Sequence, residues 1–305
     1  MPCYFPLSGY KSNRVNEKTG KRSLVFNKNH GFVDLPVTVP CGSCIGCRID
    51  RSRAWALRCV HEAKFHQHSC FLTLTYDDDN KPLGGSLVKS DLQKFFKRLR
   101  KQYGSFRYFA CGEYGDSTAR PHFHCIIFGL DFSHDRKQHS KNKRGDIIYS
   151  SNSLSKIWGF GHCTIGKFNY STASYTARYV MKKQTGKNAQ DHSMYTRLDP
   201  VTGELYQVTP EFALMSRKPG LGSMWYDQFK DDAFPSDFLI YEGKKHSVPS
   251  FYFNKLKVDN PDLHKQIAVK RSLAQIDAAA DNTGDRLFSK FVVKTAKISQ
   301  LQRSI

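Results

Sequence analysis

Arg120-Pro121-His122-Phe123-His124-Cys125-Ile126-Ile127-Phe128 is a β-rich run, and its reading decides how the rest of the chain is organised. Side chains two apart on a strand share a face, so His122 and His124 point one way and Phe123 and Cys125 the other. Two imidazoles side by side can chelate one divalent cation, and a useful site needs a third ligand. Glu113 stands upstream on the turn-like Gly112-Glu113-Tyr114-Gly115-Asp116, where a tight return brings its carboxylate to the pair. Asp116 is near enough to compete. A carboxylate, two imidazoles and open positions suit Mg²⁺ or Mn²⁺ gripping a phosphate. The plainer alternative is a pair of hydrogen-bonded histidines on a half-exposed strand.

Outward from this strand, Cys70 to Tyr76 and Phe106 to Cys111 read as further strands, and the first is stopped by the turn Asp77-Asp78-Asp79-Asn80-Lys81-Pro82. Between them Ser90 and Gln93 suggest a cap. Leu92, Phe95, Phe96 and Leu99 then form one apolar face of a basic helix. Residues 131–146 read as an exposed loop, Leu154 to Trp158 as a short helix and Cys163 to Phe168 as a strand. The order β-α-β-β-α-β-α, with two neighbouring strands on a short link, predicts an α+β layer with antiparallel pairing. Before it, residues 1–40 read as loops with one or two short strands, and Ile49 to His66 as a basic helix. After it, a helix from Pro261 to Ala280 is expected.

Ser171 to Lys183 has helical spacing and a natural stop at Gly186. Tyr175 and Tyr179 stack four apart on one face of this helix, and Lys182 shares that face. A phenol with a pKa near ~10 is a poor nucleophile at neutral pH. An adjacent ammonium stabilises phenolate, and a metal on the scissile phosphate makes phosphorus a better electrophile. The plain alternative packs both tyrosines into the core, with the lysine reaching out to water.

The whole chain has 305 residues, 47 Lys and Arg against 27 Asp and Glu, and a formal charge of +20, which favours a polyanionic partner. With 13% aromatic residues it is no disordered basic tail. No stretch approaches the ~18 apolar residues of a membrane span. Met1-Pro2-Cys3-Tyr4-Phe5-Pro6 lacks a secretory pattern, so the nine Cys are expected as thiols or metal ligands.

His122-Phe123-His124, the upstream strand Phe71 to Tyr76 and the Tyr175-xxx-Tyr179 helix, in that order, resemble the three motifs of HUH endonucleases that initiate rolling-circle replication. Met1-Pro2-Cys3-Tyr4, Pro40 to Arg48, Arg178 to Gly186 and Ser216 to Gly222 resemble more narrowly the replication initiators of gokushoviruses, a branch of the microviruses. The resemblance covers residues 1 to about 225. It implies an RRM-like core with a central antiparallel sheet flanked by helices. It carries metal ligation to His122, His124 and Glu113, nucleophilic roles to Tyr175 and Tyr179, and a supporting role to Lys182. Thr73, Thr75, Tyr76 and Lys183 are candidates for DNA contact.

Cys41-Gly42-Ser43-Cys44-Ile45-Gly46-Cys47 is a C-x₂-C-x₂-C run whose glycines permit a metal knuckle. Three thiolates want a fourth ligand. The resemblance favours Cys3, with Cys59 and His61 as rivals. A structural Zn²⁺ is expected; an iron–sulfur cluster and unliganded thiols are alternatives. Cys70, Cys111, Cys125 and Cys163 read as small core residues.

The expected organisation is a Cys-rich segment and basic helix over 1–68, an endonuclease core over 69–190 and an extension over 191–305. The expected activity is a phage replication initiator that nicks origin DNA by tyrosine attack and rejoins the strand. A zinc-dependent DNA-binding regulator and a water-activating metal nuclease are the other readings. Expected partners are single-stranded and origin DNA with a host helicase and polymerase, since no Walker loop is visible. No membrane partner is expected, and the host cytoplasm is the expected location.

Overall fold

The computed structural model describes residues 3–115, 118–142, 144–179, 195–198 and 202–300. Two compact units emerge, residues 1–51 with 268–302, and residues 52–267.

In the first unit, β1 (Leu7–Asn16), β2 (Lys21–Val25) and β3 (Gly31–Val39) form an antiparallel sheet in the order β2-β1-β3. These residues were expected to be mostly loop. The interruptions that suggested loops are the turn between β1 and β2 and a register shift between Tyr10 and Lys11. The basic helix, α1, runs over Ile45–Ala63, starting earlier than its apolar spacing indicated because the last cysteine of the knuckle already lies in its first turn.

The second unit contains the sheet that carries the site. Its elements are β4 (Ser69–Tyr76), α2 (Lys89–Tyr103), β5 (Arg107–Tyr114), β6 (Pro121–Phe128), β7 (Lys137–Lys141), β8 (Ile147–Ser150), α3 (Asn152–Trp158), β9 (Gly161–Lys167) and α4 (Tyr170–Tyr179). The hairpin β10 (Thr196–Leu198) and β11 (Leu205–Gln207) and the edge strand β12 (Phe212–Met215) follow. Seven strands pair in the order β12-β5-β6-β4-β9-β8-β7, each pair antiparallel. This is the expected α+β class with a central antiparallel sheet flanked by helices. The expected loop over 131–146 contains β7 instead. All five of its residues are exposed, so it lacks the half-buried alternation by which a strand is recognised in sequence. The expected Ser90 cap is also absent. The helix starts at Lys89, and Val88 precedes it without a side-chain cap.

Strand alternation gives the sheet two different faces. Cys70, Leu72, Leu74 and Tyr76 of β4, with Phe123, Cys125 and Ile127 of β6, pack against Leu92, Phe95, Phe96 and Leu99 of α2 and against Trp158 of α3. Each of those four α2 side chains is at most 2% exposed, a burial that stabilises by roughly 1.5–3 kcal/mol per residue before ordering costs. The opposite face offers Phe71, Phe109, Ile126 and Phe128 to Ala56 and Cys59 of α1 and to Ala173 and Ala177 of α4. His122 and His124 share this second face, because they alternate with Phe123 and Cys125. The tyrosine helix and the histidine pair are therefore on the same side of the sheet.

The chain continues through α5 (Ser223–Phe229), the hairpin β13 (Phe238–Tyr241) and β14 (Lys244–Ser247), α6 (Ser250–Asp259) and α7 (Pro261–Asp277). Trp225, Tyr226, Phe234, Leu239, Tyr252 and Leu256 form a third cluster around Leu57 of α1. In the first unit α8 (Gly284–Ser299) sets Phe291 against Tyr4 and Phe5.

Candidate metal and tyrosine site

Glu113 was expected on a turn; it lies within β5, whose register sets it directly opposite His122. His124, two residues further, is opposite Thr73 on the other neighbouring strand. Three ligand-bearing side chains are thereby fixed by strand pairing alone. Glu113 Oε1 lies 2.5 Å from His122 Nε2 and 2.8 Å from His124 Nε2. His122 Nδ1 is 3.0 Å from the Arg120 carbonyl oxygen, which can only accept, so a neutral His122 has its proton on Nδ1 and its lone pair on Nε2. A lone pair facing a carboxylate oxygen at this distance needs a cation or a proton between the two. Glu113 is 2% exposed, and its other oxygen, Oε2, is buried without a hydrogen-bond partner among the described residues. The donor set fits one hard or borderline divalent cation, and these three residues are the ones that can hold it.

The surroundings orient these ligands. Thr73 Oγ1 meets His124 Nδ1 at 3.1 Å, so when His124 offers Nε2 to a cation, Nδ1–H donates to the hydroxyl. Phe71 stacks on the His124 ring at 5.2 Å and 12°. Burial holds His124 below its ordinary pKa against the pull of Glu113, which favours the neutral imidazole a metal requires. Burial pushes the Glu113 carboxyl up, but the hydrogen bonds of His122 and His124 outweigh it and hold it below the ordinary value.

Helix α4 faces this triad. Asn169 and Thr172 cap its start reciprocally, each side-chain oxygen accepting from the other's backbone N–H at 2.9–3.0 Å. Ala173 and Ala177 are fully buried against the sheet, and Ser52 of α1 donates to the Ser174 carbonyl at 2.9 Å. Small residues at the contact bring the helix close. Tyr175 then reaches the sheet: its hydroxyl donates to Glu113 Oε1 at 3.4 Å, and its ring meets His124 edge-on at 5.0 Å and 82°. The Arg178 guanidinium lies 6.0 Å from the Tyr175 ring centre.

Other expected site residues fare differently. Tyr179 is the last residue of α4, and its side chain lies outside the described residues, as do Lys182, Lys183 and Asp116. Tyr76, expected to touch DNA, is fully buried and donates to Asp91 at 3.0 Å. It falls on the α2 side because it is one residue out of phase with Thr73 and Thr75, and a side chain with no exposed surface cannot touch a DNA strand. Thr73 is half-buried and occupied with His124. Thr75 is half-buried opposite His122, and its carbonyl accepts from the Trp158 indole at 3.2 Å. The orienting part played by Thr73 was not anticipated. The pairing of β4 with β6 assigns it, and nothing in sequence spacing does.

Cys3, Cys41, Cys44 and Cys47 bring their sulfurs within 4.8 Å of one another, and none of the nine cysteines is in a disulfide. Gly42 at φ +76° makes the turn that a side chain would resist. The backbone N–H groups of Tyr4, Cys41 and Cys44 donate to sulfur at 3.2–3.4 Å. Burial works to raise the Cys41 thiol, yet N–H and hydroxyl donors from Cys44 and Ser43 lower it to about 6, which favours thiolate. Cys3 and Cys41 are 3.7 Å apart; tetrahedral coordination at a metal–sulfur length of ~2.3 Å sets sulfurs about 3.8 Å apart. The group fits one tetrahedral ion. The rival ligands are engaged elsewhere: Cys59 is in the sheet-face core, and His61 stacks on Trp225 and bonds Tyr252.

The family model for Replication-associated protein ORF2/G2P matches residues 69–184, which include every element of the triad and α4. Replication-associated protein ORF2 of Spiroplasma virus 4 is 30% identical over 93% of this chain and 93% of its own length. The chain belongs to the replication-associated proteins of gokushovirus-like microviruses. Within that family it is also similar to Replication-associated protein VP4 of Bdellovibrio phage phiMH2K, 29% identical over 83% of this chain and 79% of the relative. Replication-associated protein ORF4 of Chlamydia phage 1 is 34% identical over 50% of this chain and 40% of the relative. No solved structure matches the chain significantly. Among the described residues, no helix is long and apolar enough to cross a membrane.

Proposed function

We propose that the chain initiates phage DNA replication by nicking and rejoining single-stranded origin DNA through a phosphotyrosine link. The observation that carries this reading is the Tyr175 hydroxyl, 3.4 Å from Glu113 Oε1 and on the same sheet face as His122 and His124. A nucleophile and a cation-binding group that share one small volume suit phosphoryl transfer, in which positioning and charge neutralisation supply most of the catalysis.

Glu113, His122 and His124 would hold a Mg²⁺ or Mn²⁺ ion, which when bound would supply positive charge to the scissile phosphate. Tyr175 Oη attacks phosphorus in line, the bond from phosphorus to the 3′ oxygen breaks, and that oxygen leaves as a 3′-OH with the proton given up by the phenol. One phosphoester is exchanged for another, so the step is close to balanced and reversible. The 3′-OH primes a polymerase. Tyr179, four residues on, serves the second cleavage when a full circle regenerates the origin, and the freed 3′-OH then attacks the first link to close a circle. Lys182 would stabilise phenolate, and Lys183, Thr73 and Thr75 are the candidates for contact with the DNA strand. Zn²⁺ at Cys3, Cys41, Cys44 and Cys47 is structural. A four-iron cube holds its thiolates farther apart than this compact group does.

The test is incubation with Mn²⁺ and labelled single-stranded oligonucleotides spanning the phage origin. A DNA adduct that survives SDS is the expected product. Cleavage without an adduct would replace this reading with a water-activating nuclease, and binding without cleavage would replace it with a DNA-binding regulator.

A further inference from the structure

A second group of chemistry lies away from the triad, in residues to which the sequence attached no role. The hairpin of β13 and β14 packs beside α1 and encloses with it a cavity of about 160 Å³. Arg53, Lys244, Lys245, His246 and Ser247 line that cavity, with Leu57 as its apolar floor. Arg53 and Lys244 are exposed, so these two cations are accessible, whereas Lys245, one step along β14, is on the opposite face of the hairpin with its ammonium 3.9 Å from the Phe238 ring centre. Around His246, Arg53 and Lys244 outnumber the carboxylate of Glu242. Burial, then Arg53 and Lys244, holds His246 below its ordinary pKa, so its ring is neutral and flat-faced at pH 7.

Aromatic rings border the charge. Tyr170 stacks on Tyr241 at 5.1 Å and 28°, and lies 5.8 Å from the His246 ring. Cations interleaved with aromatic faces suit a single nucleic-acid strand, whose phosphates meet the cations while its bases stack. Tyr170 is the first residue of α4, the helix that carries Tyr175. Five helical steps separate them, an axial rise of about 7.5 Å. The same helix therefore presents one tyrosine to the triad and another to this basic cavity.

We infer that Arg53 and Lys244, with the Tyr170–Tyr241 stack, form a second docking site for the single-stranded DNA backbone, holding the strand flanking the scissile phosphate. This assigns a DNA-anchoring role to the β13–β14 hairpin, and it rests on the proposed nicking reaction for its substrate.

The test uses the full-length chain and a labelled oligothymidylate, with anisotropy read across a salt series in EDTA, so that binding is separated from metal-dependent chemistry. Each cation withdrawn from a phosphate lowers the single-strand salt slope by about 0.7. Arg53→Gln with Lys244→Ala should therefore reduce the slope by about 1.4. If the charge contribution vanishes near ~1 M salt, affinity at ~0.1 M falls about 25-fold. Either change alone, Arg53→Gln on α1 or Lys244→Ala on β14, should reduce the slope by about half as much. Lys94→Ala with Lys97→Ala removes the same charge from the exposed side of α2 and serves as the control. If the hairpin and Arg53 variants bind as the control does, the docking site is wrong. The adduct assay is read in parallel on the unaltered chain. An adduct with unchanged hairpin-variant binding overturns the docking site and leaves nicking intact. A selective loss of binding with no adduct leaves the docking site standing and overturns nicking.

Discussion

Replacing Thr73 with valine probes how the metal site is built, without touching a proposed ligand. The hydroxyl lies 3.1 Å from His124 Nδ1 and sets which way the imidazole turns. Valine keeps the β-branched shape that suits a strand, so β4 keeps its pairing with β6. The fold loses one hydrogen bond, worth about 1 kcal/mol. The ion loses more, because a partner that fixes tautomer and ring angle typically contributes 10–100-fold to metal affinity, about 1.4–2.7 kcal/mol. Calorimetric titration with Mn²⁺, well below the melting temperature, should show that weakening, and Thr73→Ser should restore most of it. Unchanged Mn²⁺ affinity in the valine variant, with the fold intact, would refute the claim that Thr73 orients His124.

Three further outcomes follow from named contacts. His122→Ala should abolish nicking while single-stranded DNA binding stays within a few-fold, measured by gel assay and anisotropy; a large loss of affinity would count against an ion-holding role. Cys44→Ser should lower the melting temperature and remove bound zinc from elemental analysis, since it deletes one of four converging sulfurs. Glu62 is buried, pairs with Arg107 and accepts from the Gly222 N–H at 2.7 Å, so Glu62→Gln should destabilise by about 3–5 kcal/mol in chemical denaturation. Burial pushes the Glu62 carboxyl up, but bonds from His66, Gly222 and Arg107 bring it below its ordinary value. Its contribution is then complete above the unfolded value of ~4.3 and is lost as pH falls through the folded one, so the gap between wild type and variant should narrow in acid.

Much of this architecture was legible in particular residues. His122 and His124 alternate with Phe123 and Cys125, and strand periodicity placed both imidazoles on one face. Leu92, Phe95, Phe96 and Leu99 announced the buried side of α2 in the same way. What escaped depended on pairing between distant strands. Glu113 looked like a turn residue because Gly112 and Gly115 flank it, whereas its position follows from the register of β5 against β6. Tyr76 looked like a companion of Thr75, but one step along a strand reverses the face. Strand β7 has no buried residue and left no periodic trace. The basic cavity draws Arg53 from α1 and its lysines from a hairpin nearly two hundred positions later, a meeting that only tertiary structure reveals.

The most direct measurement is the adduct formed with Mn²⁺ and origin single strands by the Tyr175→Phe, Tyr179→Phe and double variants, resolved on denaturing gels. The account predicts that each single change weakens the covalent product and that the double change eliminates both the product and strand scission. Scission that continues in the double variant would mean that water, and not a phenol beside Glu113, His122 and His124, attacks the phosphate.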